Sequence, residues 1–181
     1  ADAGREDNPT PNLHTPWATD DACVRMPDTL AECADLVLRT ADPAMKAALS
    51  HAAYAKFVAS DGTMRVGVAS PPPKPARPDR PELVHPKDVP SPKTCPLGMS
   101  AAMIHNVAHI ELNAIDLAWD TVARFSALAA DRGGDRGDGN LINLPVDFFA
   151  DFARVADDES RHLGWCLQRL GEMGVRYGDI P

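Results

Sequence analysis

Ten of the 17 prolines in this chain fall between Pro71 and Pro96, opening with the run P-P-P-K-P-A-R-P. Proline lacks the amide hydrogen that helices and sheet ladders need, and it biases its predecessor toward extended backbone. No regular element can cross such a stretch. Folding must happen on either side of it, with residues 61–97 as a semi-rigid strap along the surface of what the flanks build. The alternative use of this composition is a polyproline ligand for the aromatic groove of a partner.

Both flanks read as helical, so the expected class is all-α. Thr29-Leu-Ala-Glu32 is a capping box, in which the threonine hydroxyl and the glutamate satisfy orphan amides at a helix start. The helix it opens carries Leu30, Cys33, Ala34, Val37 and Leu38 at helical spacing. Asp42-Pro43 starts a second helix, with aspartate as cap and proline in the first turn; Met45, Ala48, Leu49, Ala52 and Phe57 are its candidate buried residues. Residues 27–60 thus form a helical hairpin, and residues 1–26, polar apart from Trp17, form an extended arm.

After the strap, residues 98–181 hold two longer helices. One runs from about Ser100 to Ala127 on a stripe of Ile104, Val107, Ala108, Ile115, Ala118, Val122 and Phe125. The glycine-rich run R-G-G-D-R-G-D-G-N breaks it and reads as a mobile surface loop. Pro145 opens the last helix, striped by Phe148, Phe152, Val155, Ala156, Leu163, Cys166 and Leu170, and Gly174 closes it.

Three ligand-type residues interrupt these stripes. Glu111 falls on the third helix, and Glu159 with His162 forms an E-x-x-H on the fourth. An unpaired carboxylate on an apolar face costs several kcal/mol, which asks for a compensating partner. Glu159 lies 14 residues after Pro145, and 14 residues after Glu111 is Phe125, where the third helix fades. At about 1.5 Å per residue both carboxylates then sit roughly 21 Å from the connecting loop, at one level of an antiparallel pair. Carboxylates are hard ligands able to bridge two cations, and a histidine three residues on shares their helix face. A glutamate plus E-x-x-H is half of a di-iron carboxylate site. The bland alternative is a buried Glu–His pair, or a boundary where these groups meet solvent. His105 and His109 face with Asn113 and Asp116; either His109 or Asp116 orients the ligands as an outer partner, or the face is a solvated polar one. Asp157, Asp158 and Arg161 read as surface charges, and His14, His51 and His85 have no ligand-like spacing.

Composition narrows the function classes. With 181 residues, 44% of them hydrophobic, the chain can bury one core. A net charge of -8 argues against a phosphate-backbone footprint, so nucleic acid is not an expected partner. No run of 18 apolar residues occurs, so no transmembrane segment is expected. Cys23, Cys33, Cys95 and Cys166 are scattered without a C-x-x-C, which suits reduced thiols in a cytoplasm, matrix or stroma. The start at Ala1 reads as a removed leader or a trimmed end.

The segments H-I-E-L-N-A-I-D-L-A-W-D, L-P-V-D-F-F-A-D-F-A-R-V-A-D-D-E-S-R-H-L and Y-G-D-I-P resemble a ferritin-like family of unassigned function. The resemblance extends to L-A-E-C-A-D-L-V-L-R-T-A-D-P and R-P-D-R-P-E-L-V, and so covers most of the chain from Thr29 onward. It implies a four-helix bundle related to di-iron hydroxylases, including tRNA-modifying ones, with Glu111, Glu159 and His162 as the matching ligand positions for iron, or for manganese, which shares them. It also implies two further helices beyond Y-G-D-I-P, bearing another glutamate and a second E-x-x-H, so this chain is expected to hold a partial bundle. Three expectations stay open: the other half comes from a separate or continuing polypeptide, from a second copy at a two-fold axis, or nowhere. In the last case the fold is a metal-free scaffold subunit of a larger assembly. In the first two it serves oxygen-dependent oxidation or iron handling.

Overall fold

The structure, a computed structural model, describes residues 25–130 and 143–180. Most of the arm and the glycine-rich run lie outside the described residues, as do His14, Trp17 and Cys23. Among the described residues there are four α-helices and no strand beyond an isolated bridge between Ala129 and Leu144. No described helix is long and apolar enough to cross a membrane.

Thr29 caps α1 (Leu30–Leu38), its hydroxyl accepting from the Glu32 amide. The glutamate carboxylate takes the threonine hydroxyl proton instead of reaching back for an amide, so only half of the capping box forms. Asp42 accepts from the Met45 amide at 2.8 Å and opens α2 (Pro43–Ala59). The longest helices are α3 (Met99–Phe125) and α4 (Val146–Glu172). They run antiparallel: Phe125 meets the Phe148 ring at 6.5 Å near the connection, and His105 meets Tyr177 at the opposite end. A glycine with φ of +71°, Gly174, ends α4. The Val175 amide bonds back to Leu170, both residues being buried, so the exit is a Schellman closure.

The hairpin of α1 and α2 covers one side of the α3–α4 pair, and Trp119 lies fully buried between the layers. Its indole N–H donates to Ser50 Oγ at 2.7 Å, and Ser50 in turn donates to the Ala156 carbonyl. The strap closes the far side of α1. Its Arg65 and Val66 carbonyls take the orphan amides of Leu30 and Ala31, while the Ala76 amide takes the Leu38 carbonyl. Gly67, with φ of +71°, passes so close to Thr29 that a Cβ would sit 2.5 Å from its side chain. Glycine is required there on both counts.

Core assignment from spacing held for α1, where Leu30, Cys33, Ala34, Val37 and Leu38 are all buried. On the other helices the expected stripe is only partly buried: Leu49, Ala108, Ile115, Ala118, Val122, Ala156, Leu163 and Leu170 are inside, and neighbouring positions join them. In α2 it is Lys46, Ala47, Leu49, Ser50 and Ala53 that are buried, with Met45 and Phe57 only partly so. In α3 Val107 and Phe125 are exposed, while Leu112, Trp119, His105 and Asp116 are buried. In α4 Phe149, Ala153, Asp157 and Ser160 lie innermost. The reason is common to all three: the inner face also holds polar side chains, most of them partnered by other parts of the chain, and a hydrophobic count cannot see them.

Candidate functional site

Near the middle of the α3–α4 pair, Glu111, Glu159 and His162 converge. Each offers a ligating atom, and these atoms lie within 4.8 Å of one another. His162 Nδ1 is 2.9 Å from Glu159 Oε2 and 3.8 Å from Glu111 Oε2. The cluster sits at the margin of the buried face, with both glutamates half-buried and His162 exposed beside the Trp165 ring. Burial pushes the Glu111 carboxyl up to about 6, helped by the hydrogen bond and charge of Glu159. Burial acts on Glu159 in the same direction, but hydrogen bonds with Glu111 and His162 outweigh it and hold that carboxyl below its ordinary value. The opposite shifts have one cause: two carboxyls this close resist ionising together, so Glu111 holds its proton more readily than Glu159 does.

The other residues singled out by spacing are placed elsewhere. His105 and Asp116 belong to the buried interior, which overturns the solvated-face reading, and their partners lie away from the cluster. His105 Nε2 accepts the Gly178 amide at 2.9 Å and its ring stacks on Tyr177, while His109 Nδ1 lies 2.7 Å from the Tyr177 hydroxyl. Tyr177 and Gly178 are therefore clamped onto the first half of α3. Asp157 is not a surface charge: it is buried and bonds His51 Nδ1 at 2.6 Å. That contact raises His51 above the ordinary histidine value despite partial burial. Arg161 pairs with Asp158, as a surface arginine does.

Lys46 is the residue that spacing missed. It is fully buried, reaching Asp116 at 2.5 Å and the Ala76 carbonyl at 3.0 Å, and Arg77 from the strap closes on the same carboxylate at 2.7 Å. The signal available was its place on one face with Ala47, Ser50 and Ala53, set against Asp116 on the inner face of α3.

The tail clamp makes a pH prediction. Burial, then the charge of His109, lowers His105 below 6.5. A histidine with a depressed folded pKa contributes stability that is present above its unfolded value and lost as pH falls through the folded one. As pH falls below the ordinary histidine range the clamp is expected to open, and faster amide exchange at Gly178 than at Ala156 in the helix core would register it. Exchange at Gly178 unchanged down to the acid unfolding transition would refute the assignment.

The fold and this cluster define an all-helical protein with two carboxylates and an imidazole set at one level between its longest helices. The chain belongs to the family described as "Protein of unknown function (DUF455)", whose profile matches residues 39–181. It is similar to an uncharacterized protein of Haemophilus influenzae, with 38% identity over 105 residues, which are 58% of this chain and 33% of that relative. This chain therefore aligns with about a third of the length of that relative. No solved structure matches it.

Proposed function

We propose that Glu111, Glu159 and His162 are the carboxylate–histidine half of a di-iron-type site in a ferritin-like bundle. The observation that supports this reading is the convergence of three ligating atoms from two helices within 4.8 Å. The donor set fits a hard or borderline divalent ion such as iron or manganese, with two oxygen ligands and one nitrogen. A cation would also relieve the repulsion between the two carboxylates. Glu111 from α3 and Glu159 from α4 would hold it on two sides, with His162 as the nitrogen ligand. Bound iron would supply oxygen-dependent oxidation or iron handling. The rigid helix pair contributes the placement of the ligands at one level.

Three ligands leave most positions of a metal pair open. The face of α3 next to Glu111 carries Met103, Val107, Ile110 and Leu117, all exposed, with Leu117 at 70%. An apolar stripe of this length beside a half-filled ligand set suits the interior of a larger bundle, completed by a second copy or by another chain. The same stripe favours a second reading, in which the helix pair docks into an assembly as a metal-free scaffold.

Anaerobic titration with iron(II) and manganese(II) separates the two readings. Saturable binding is expected, weakened in Glu159→Ala by at least the roughly 10–100-fold that even an outer partner of a ligand is worth. Asp120→Ala, which removes only an exposed partner of Arg124, should bind as the parent does. A folded, helical protein that takes up neither ion would leave the scaffold reading standing.

A further inference from the structure

A cleft separates the strap from α3, on the side of that helix away from Glu111. It consists of two adjoining cavities. The inner one, about 220 Å³, is lined by Arg77, His109 and Tyr177 among others. The outer one, about 400 Å³, is lined by Leu83, Val84, Val89, His105 and Ile110. They share walls at Pro81, Glu82, Leu83 and His109, so they form one space with a polar end and an apolar end. A volume of this order, mostly apolar with a few convergent polar groups, is what small-molecule sites have.

The polar end carries unspent charge. Lys46, Asp116 and Arg77 are ion-paired at the base of the strap, two cations against one anion. Arg77 donates through Nη2 to Asn113 Oδ1 at 2.5 Å and forms an ion pair with Asp116 Oδ2 at 2.7 Å; neither its Nη1 nor that carboxylate oxygen has a hydrogen-bond partner. An unsatisfied buried guanidinium nitrogen is costly, and its best complement is a planar carboxylate, taken through parallel hydrogen bonds. The Tyr177 hydroxyl stands beside it as a neutral group, since burial pushes it up to about 12. Asp79 and Glu82 stand exposed at the rim of the inner cavity. Their negative charge opposes any anion, and a phosphate dianion about twice as strongly as a carboxylate, which makes the carboxylate the better fit.

We propose that this cleft binds a small apolar monocarboxylate, its charged end at Arg77 and its body against Leu83, Val89 and Ile110. The assignment does not rest on the metal reading, because none of these groups is a ligand in the Glu111 cluster; Ile110 alone also belongs to the exposed stripe of α3.

The test is an NMR titration of the full chain with phenylacetate, 2-phenylethanol and phenyl phosphate. Phenylacetate should produce saturable shifts at the Leu83, His109 and Tyr177 amides, with the neutral alcohol about tenfold weaker for want of a charge-assisted hydrogen bond. Phenyl phosphate should bind more weakly than phenylacetate. Arg77→Met removes the anchor but also loosens Asp116, so Leu83→Asp is the second variant. Leu83 is exposed, the fold does not depend on it, and a negative charge there should weaken phenylacetate by about tenfold. Absence of saturable shifts at these amides overturns the site. Equal affinity for the alcohol overturns the charge assignment, and tighter phosphate binding overturns the choice of carboxylate.

Discussion

Asp116→Ala is expected to destabilise the fold by about 3–5 kcal/mol, the range for removing one partner of a buried ion pair. Asp116 is 3% exposed and its partner Lys46 is 0% exposed, so the lysine left behind has no water to turn to. The shifts of the two groups agree on what the pair costs. Burial lowers Lys46 and raises Asp116, and the attraction between them opposes but does not cancel either effect. A carboxyl raised on folding contributes stability below its unfolded pKa and loses it as pH rises through the folded value. A lysine lowered on folding contributes above its unfolded pKa and loses it as pH falls. At neutral pH both contributions are gone, so the ionised pair is held by the fold more than it holds the fold. Lys46→Met with Asp116→Leu should therefore recover most of the loss, since Arg77 keeps Asn113 and partial access to water. Asp120→Ala, at an exposed pair with Arg124, should cost less than about 1 kcal/mol. Urea unfolding midpoints read all three. An Asp116→Ala loss no larger than that of Asp120→Ala would show that Lys46 reaches solvent.

Trp119→Ala should cost a similar amount, about 3–5 kcal/mol, by cavity formation. Trp119 is the largest fully buried side chain, and it lies where α2, α3 and α4 meet. Trp119→Phe separates its two roles. The ring would fill most of the space, while Ser50 would lose the indole N–H but keep its own bond to Ala156, for a cost of about 1 kcal/mol. Thermal unfolding followed by circular dichroism gives both values. If the phenylalanine variant falls as far as the alanine one, the hydrogen bond and not the volume governs this junction.

These effects concentrate where sequence reading was least informative. Spacing placed Leu30, Cys33 and Val37 correctly because α1 is short and apolar on the side it buries. On α2, α3 and α4 it placed Leu49, Ala108, Ile115, Ala118, Val122, Ala156, Leu163 and Leu170 inside but missed Lys46, Asp116, His105 and Asp157, which look like surface residues until their partners are known. Lys46 and Asp116 are 70 residues apart, and His51 and Asp157 are 106 apart. Periodicity within one helix contains nothing about such pairs. Glu111, Glu159 and His162 were legible for the opposite reason. Two share a helix face at a fixed spacing, and the register of the third follows from counting residues to a single connection.

The sequence by itself determined the all-helical class, the starts of α1 and α2, the break imposed by the prolines and the grouping of the three ligand-type residues. All of these rest on local rules: caps, missing amides and helical rise. Only the tertiary structure decided which polar groups are buried, that the strap supplies Arg77 to a carboxylate on α3, and that the tail closes on His105 and His109. A buried charge is tolerable only when a partner arrives from another part of the chain, and where that partner arrives is a property of the assembled fold.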